Sequence, residues 1–367
     1  MDDPTRSLPR PKLSYDQTTL DGLHLTQRDA VRVAARVADT RSTTLRFGGH
    51  TAELHAIGQG VADVFGPALA HNVVPAGAPA ELTITAFSGD DADFDLNVYA
   101  RVAIGGSHPW WLNSRREVVG LHSSDLFATF QWPVLSLYDP VAREAIWYVD
   151  SLDQLQVWDR SAPARSILHW WLNSVDHHLV HSAAVGRPEG AVLLTGRGGS
   201  GKSTLALSCI GSDLRYVGDD YCAITVAPEP RVVSLYNSGK MVGQDDLDRL
   251  PHLADWVVNP SELGDVKQLV YAYQIDPSAV LHDAPLKAIV LPIIEPGAAP
   301  RITPASKSDT LRALAPTSLF QLPGTGAEFL RAMADLTRVL PCYRLTVGPD
   351  LAANRSLLAE VLDESIG

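Results

Sequence analysis

The sequence predicts a two-domain α/β protein, with a phosphate-binding α/β domain preceded by a smaller α+β domain. Three observations predict it. The chain has 367 residues, more than one ordinary domain holds. Its first half carries short alternating stretches, whereas from His181 the pattern turns to strand, Gly-rich turn, helix, strand. That turn reads Gly196-Arg197-Gly198-Gly199-Ser200-Gly201-Lys202-Ser203, a G-x-x-x-x-G-K-S loop. The expected division is a flexible segment with one helix over 1–40, an α+β recognition domain over 41–160, and the phosphate-loop domain over 161–367.

Composition narrows the function classes. The chain is 46% hydrophobic and 20% charged, a globular balance that excludes collagen-like, coiled-coil and wholly disordered architectures. A net charge of −12 gives no electrostatic footprint for a duplex phosphate backbone, so no nucleic-acid partner is expected. No apolar run reaches the roughly 18–20 residues that span a bilayer, so no membrane partner is expected. The opening residues lack the apolar core of a signal peptide, and three cysteines at unrelated spacings make no disulfide framework or zinc pattern. A reduced, cytoplasmic protein with buried cysteines is the expectation.

The elements follow in order. The first dozen residues read as disordered. Thr26–Ala38 reads as a helix capped by Thr26 with Asp29 three residues on. Glu81–Phe87, Leu96–Ile104, Trp111–Val119 and Ala145–Val149 read as strands of an antiparallel sheet with one wet face. Val61–Ala70 reads as a helix among them, and Ala162–Asn173 as a helix bridging to the next domain. After it, strands are expected at Val232–Tyr236, Leu269–Gln274, Leu286–Ile294 and Cys342–Val347, and helices at Thr325–Val339 and Ala352–Leu362.

The loop has the right neighbours. Ala191–Thr195 is an apolar strand before it, and Ser203–Ile210 is helix-forming after it. Glycines let backbone N–H groups converge on phosphate oxygens. Lys202 supplies a mobile charge for the terminal phosphates, and the Ser203 hydroxyl suits Mg²⁺. With only six lysines in the chain, the match is hard to reach by chance. Gly196 to Thr204 is therefore the expected cradle for ATP. The loop alone leaves open whether the phosphoryl group goes to water, to an acceptor, or nowhere.

Asp219-Asp220 follows a short strand, Leu214–Val217. A helix over 202–210 advances about 13 Å, and a strand over 214–218 returns roughly 16 Å. The chain thus comes back level with the loop where the acids occur. Adjacent strand residues face opposite ways, so only one carboxylate should reach the phosphate unless the strand breaks there. His181 lies on an apparent strand entering the same domain. Its spacing from His177 has no third metal ligand to go with it.

A histidine on a strand, then the loop 15 residues later, then an acid pair 17 residues beyond Lys202 resembles the bacterial HPr kinase/phosphorylase family. The resemblance implies a phosphate-loop kinase fold of the HPr kinase and PEP carboxykinase type. It implies phosphorylation of a serine hydroxyl, with Asp219 as base, Ser203 and Asp220 on Mg²⁺, and His181 near the transferred group. Two departures bear on it. Arg197 stands where the family usually carries an acid. The family's later acid-R-G-x-G segment is absent, and Leu235–Met241 (L-Y-N-S-G-K-M) lies in its region, so Lys240 becomes an expected phosphate contact. Those departures speak against carrying over phosphorolysis or HPr itself. Leu235–Met241 and Leu314–Pro323 (L-A-P-T-S-L-F-Q-L-P) look like divergent members, some of which serve peptide maturation by phosphorylating a precursor peptide.

The expected activity is an ATP-dependent serine kinase acting on a peptide or protein. A kinase for a small-molecule alcohol and a nucleotide-gated protein without transfer are the other two readings. The resemblance leaves a homo-oligomer open.

Overall fold

The computed structural model describes residues 20–77, 79–92, 110–112, 118–121, 126–131, 133–260, 267–322 and 326–366. Its first sheet has nine described strands: β1 (Thr40–Phe47), β2 (His50–Ile57), β3 (Val73–Val74), β4 (Leu82–Ser88), β5 (Trp110–Leu112), β6 (Val118–Leu121), β7 (Phe127–Gln131), β8 (Val134–Asp139) and β9 (Glu144–Val149). They lie in the order β3-β1-β2-β4-β9-β8-β7-β6-β5.

The expectation of an antiparallel sheet with one wet face does not hold. β2 pairs β4, and β4 pairs β9, in parallel. In β9, Ala145, Trp147 and Val149 join one apolar cluster, while Ile146 and Tyr148 join another. The first cluster takes in the helix Gln59–Leu69. The second is closed by the helix Leu20–Val37 through Leu23, Ala30 and Ala34. Central strands covered on both faces lose their alternation, which is why period alone misread them. Thr26 is no cap: it lies inside that first helix and its Oγ1 donates to Gly22 O (2.7 Å). The expected strand Leu96–Ile104 and the expected disorder at the start fall outside the described residues. Trp111–Val119 is described only at its two ends, which belong to separate strands.

A helix over Arg165–Asn173 leads into the second sheet, after a five-residue helix, Val157–Ser161. Its strands are β10 (His178–Val180), β11 (Ala183–Arg187), β12 (Gly190–Leu194), β13 (Arg215–Gly218), β14 (Cys222–Thr225), β15 (Arg231–Ser234), β18 (Asp283–Ile294), β19 (Arg301–Pro304) and β20 (Cys342–Val347). β16 (Ser238–Met241) and β17 (Gln268–Tyr271) form a separate antiparallel pair. The long sheet runs β10-β14-β15-β18-β12-β11-β13, with β20 on β18 and β19 on β20. β12 and β20 run parallel to β18.

This sheet is also covered on both sides. Val192 and Leu194 of β12 pack with Leu205 and with Leu358 of the helix Leu351–Ile366. Ala191 and Leu193 pack with Leu314 and Met333, from the helices Lys307–Gln321 and Ala327–Val339. β12 therefore reads as an unbroken apolar run. The helix Lys307–Gln321 is absent from the sequence expectation, because Pro316 and several hydroxyl residues break its periodicity. The two sheets share one apolar cluster, in which Phe47, Trp147 and Trp171 sit with Ala223, Leu235 and Tyr271. All three cysteines are free and buried, and burial raises the Cys209 thiol to about 12.

Candidate active site

Three chain segments converge at one end of the second sheet. β12 ends at Leu194, and the loop follows before the helix Lys202–Ser208 begins. Gly199 and Gly201 take φ values of 77° and 94°, which L residues with a Cβ seldom adopt. The Lys202 side chain is buried and folds over its own loop. Its Nζ donates to Gly196 O (2.8 Å) and Arg197 O (3.1 Å). Burial lowers its pKa, and Asp219 and Asp220 partly restore it. Arg197 is exposed. Ser200 Oγ is buried without a hydrogen-bond partner, beside Gly196. Thr204 Oγ1 donates to Asp246 Oδ1 (2.9 Å), so that hydroxyl is engaged with the helix Gly243–Arg249.

β13 returns the chain to the loop. Ser203 Oγ donates to Asp219 Oδ1 (2.9 Å), and the Lys240 N–H donates to Asp219 Oδ2 (3.3 Å). The condition under which both acids can share one site, a break in the strand, is met. β13 stops at Gly218, and Asp220 takes a left-handed φ of 64°. Aspartate tolerates that conformation better than most residues. The break in the strand leaves both carboxylates in one site. Asp220 forms an ion pair with the Lys240 ammonium, and its Oδ1 lies 3.5 Å from His181 Nε2.

The two acids are driven apart electrically. Burial, and then the neighbouring Asp220 charge, raise Asp219 to about 6. Burial pushes Asp220 up as well, yet the Lys240 ammonium and the His181 contact together hold it well below the ordinary carboxylate range. Such a split separates the roles that a pair of acids can play. The Lys240 ammonium favours the ionised form of Asp220, and burial works against that of Asp219.

His181 does not lie on a strand. It sits at the bend between β10 and β11. Its N–H donates to Ser318 Oγ (2.9 Å), and its ring packs on Tyr221 at 5.5 Å. Tyr221 OH donates to Gln321 Oε1 (2.9 Å). Ser318 and Gln321 thus brace the histidine corner from the helix Lys307–Gln321, within the segment singled out as L-A-P-T-S-L-F-Q-L-P. Sequence reasoning missed Ser161, whose Oγ accepts from Lys240 Nζ (3.1 Å). A lone serine on a short helix carries no spacing signal.

Among the described residues no group of three His, Cys, Asp or Glu side chains could hold a metal ion by itself. The donors present fit Mg²⁺ nonetheless. Ser203 Oγ and the acid pair are hard oxygens, and Mg²⁺ on a nucleotide takes few protein ligands. Among the described residues, no helix is long and apolar enough to cross a membrane.

No family model and no curated protein matches the chain. Among solved structures it is similar to the HPr(Ser) kinase/phosphatase from Coxiella burnetii, at 12% identity and a TM-score of 0.27, over 50% of this chain and 99% of that one. A likeness of that depth carries neither a family nor residue roles with it.

Proposed function

We propose that this chain transfers the γ-phosphoryl group of ATP to an aliphatic hydroxyl, and that the acceptor is a serine of a peptide or protein. The observation that supports this best is the Asp219–Asp220 pair, with buried Asp219 hydrogen-bonded to Ser203 Oγ and Asp220 paired to Lys240, beside a glycine-rich phosphate loop. A neutral serine hydroxyl is a poor nucleophile. A carboxylate near neutrality can take its proton while still being ionised at pH 7.

In the proposed step the serine oxygen attacks the γ-phosphorus, and its proton passes to the Asp219 carboxylate. The bond from phosphorus to the bridging oxygen breaks, and ADP leaves. Lys202 and the loop amides around Gly198 to Gly201 bind and neutralise the phosphates, and most of the acceleration comes from this placement. Ser203 and Asp220 would hold Mg²⁺, which neutralises charge on the terminal phosphates. His181 orients Asp220.

The test is thiophosphate labelling of a lysate by the purified protein, followed by identification of the labelled species. Wild type should label serine-containing polypeptides, and Asp219→Asn should keep ATP binding while losing about 10²–10⁴ in rate. Label confined to small molecules would replace the peptide with a metabolite acceptor. An Asn variant at wild-type speed would remove Asp219 as base.

A further inference from the structure

The segment Tyr236–Lys240 ties the acid pair to the first half of the chain. Tyr236 OH donates to Pro163 O (2.9 Å). Asn237, fully buried, donates through Nδ2 to Pro67 O (2.8 Å) and Ala68 O (2.9 Å) at the end of the helix Gln59–Leu69. Ser238 Oγ donates to Ser161 O. Lys240 Nζ reaches Ser161 Oγ on one side and Asp220 on the other. Between them Gly239 lies flat on the helix of the phosphate loop. A Cβ there would sit 2.4 Å from Leu207 Cδ2.

Ser161 is suited to hold an ammonium. Its one hydroxyl proton is committed to Trp158 O (3.1 Å), so its lone pairs are left for Lys240. The residue is 1% exposed, so water does not replace it. A lysine side chain has several free torsions and gives up considerable entropy when fixed. A second acceptor decides where its ammonium rests.

We propose that Ser161 is a positioning residue of the phosphotransfer site. Its hydroxyl fixes the Lys240 ammonium on Asp220, which leaves Asp219, held by the neutral Ser203 hydroxyl and Lys240 N–H, as the carboxylate for the acceptor hydroxyl. The short helix Val157–Ser161, between the two sheets, is on this view part of the catalytic unit. The kinetic side of the inference rests on the function proposed above; the placement of Lys240 does not.

Two measurements test it. The first is a double-mutant cycle read as serine-peptide thiophosphorylation. Ser161→Ala should lower kcat about ten- to a hundredfold, the worth of a hydrogen bond to a charged group, with the KM for MgATP unchanged. Ser161→Thr should restore it. On a Lys240→Met background, Ser161→Ala should have no further effect. An equal loss on that background, or wild-type turnover in Ser161→Ala, overturns the inference. The second measurement needs no activity. Acetic anhydride labelling, resolved by peptide mass, should reach Lys240 severalfold faster in Ser161→Ala, with exposed Lys267 as internal reference. Equal Lys240 labelling in both proteins overturns the inference whatever the kinetics show. Ser161→Cys, near in size and a weak acceptor, replaces alanine if that variant does not fold. A wild type that labels no peptide would sink the serine-kinase reading alone, and the anhydride result would still decide the placement of Lys240.

Discussion

Both halves of the molecule are built on a broad mixed sheet buried on its two faces, yet only the second shows a site of this kind among the described residues. The difference lies at the strand ends. In the first sheet, β8 and β9 are joined by a turn in which Asp139 Oδ1 accepts from Val141 N (3.0 Å) and Ala142 N (2.9 Å), so the polar side chain is used up in closing the turn. In the second, β12 is followed by a glycine-rich loop and β13 by two aspartates, the second of them left-handed, so the Asp219 carboxylate meets Ser203 at the start of the helix that follows the loop. Sheets supply rigidity, and chemistry comes from what their ends leave open.

The contrast can be broken at either half. Phe87→Ala, in the cluster closed by the helix Leu20–Val37 and not in the one the two sheets share, should cost about 3–5 kcal/mol of stability, seen as a lower urea midpoint, while kcat per folded molecule stays at the wild-type value. A fall in kcat at full folding would mean that the first sheet takes part in chemistry. Asp220→Asn should cost about 3–5 kcal/mol as well, because it strands the buried Lys240 ammonium. Here stability and turnover should fall together. Lys202→Ala should weaken MgATP binding about ten- to a hundredfold by calorimetry, with little change in the urea midpoint.

The smallest effects are those of pH. Turnover of the wild type should fall as the pH drops through about 6, as Asp219 takes up a proton. Its stability runs the other way. A folded pKa above the ordinary 3.8 means that ionising Asp219 costs stability as the pH rises from 4 through 6. Asp219→Asn is free of that cost, so its Tm relative to wild type should increase from pH 4 to pH 7. A constant difference would show that Asp219 titrates normally.

The loop and its flanks were legible because glycines, a scarce lysine and an apolar strand coincide within a few residues. Asp219 was legible from the length of one helix and one strand. Whether Asp220 would join it in one site was left open by the sequence, because alternation holds only for a continuous strand and β13 stops at Gly218. Ser161 and Ser318 were silent, since their partners Lys240 and His181 lie 79 and 137 residues away. The parallel pairing of β2, β4 and β9 was silent for the same reason. Local period records which faces are buried and not which strand lies alongside.

The Lys202 ammonium already has two oxygens to hold, both from its own loop. An arriving anion has to outbid Gly196 and Arg197 for it. On the function proposed above, a nucleotide phosphate would displace those two neutral carbonyls with a charged partner, so the loop would keep its lysine ordered until the anion arrives.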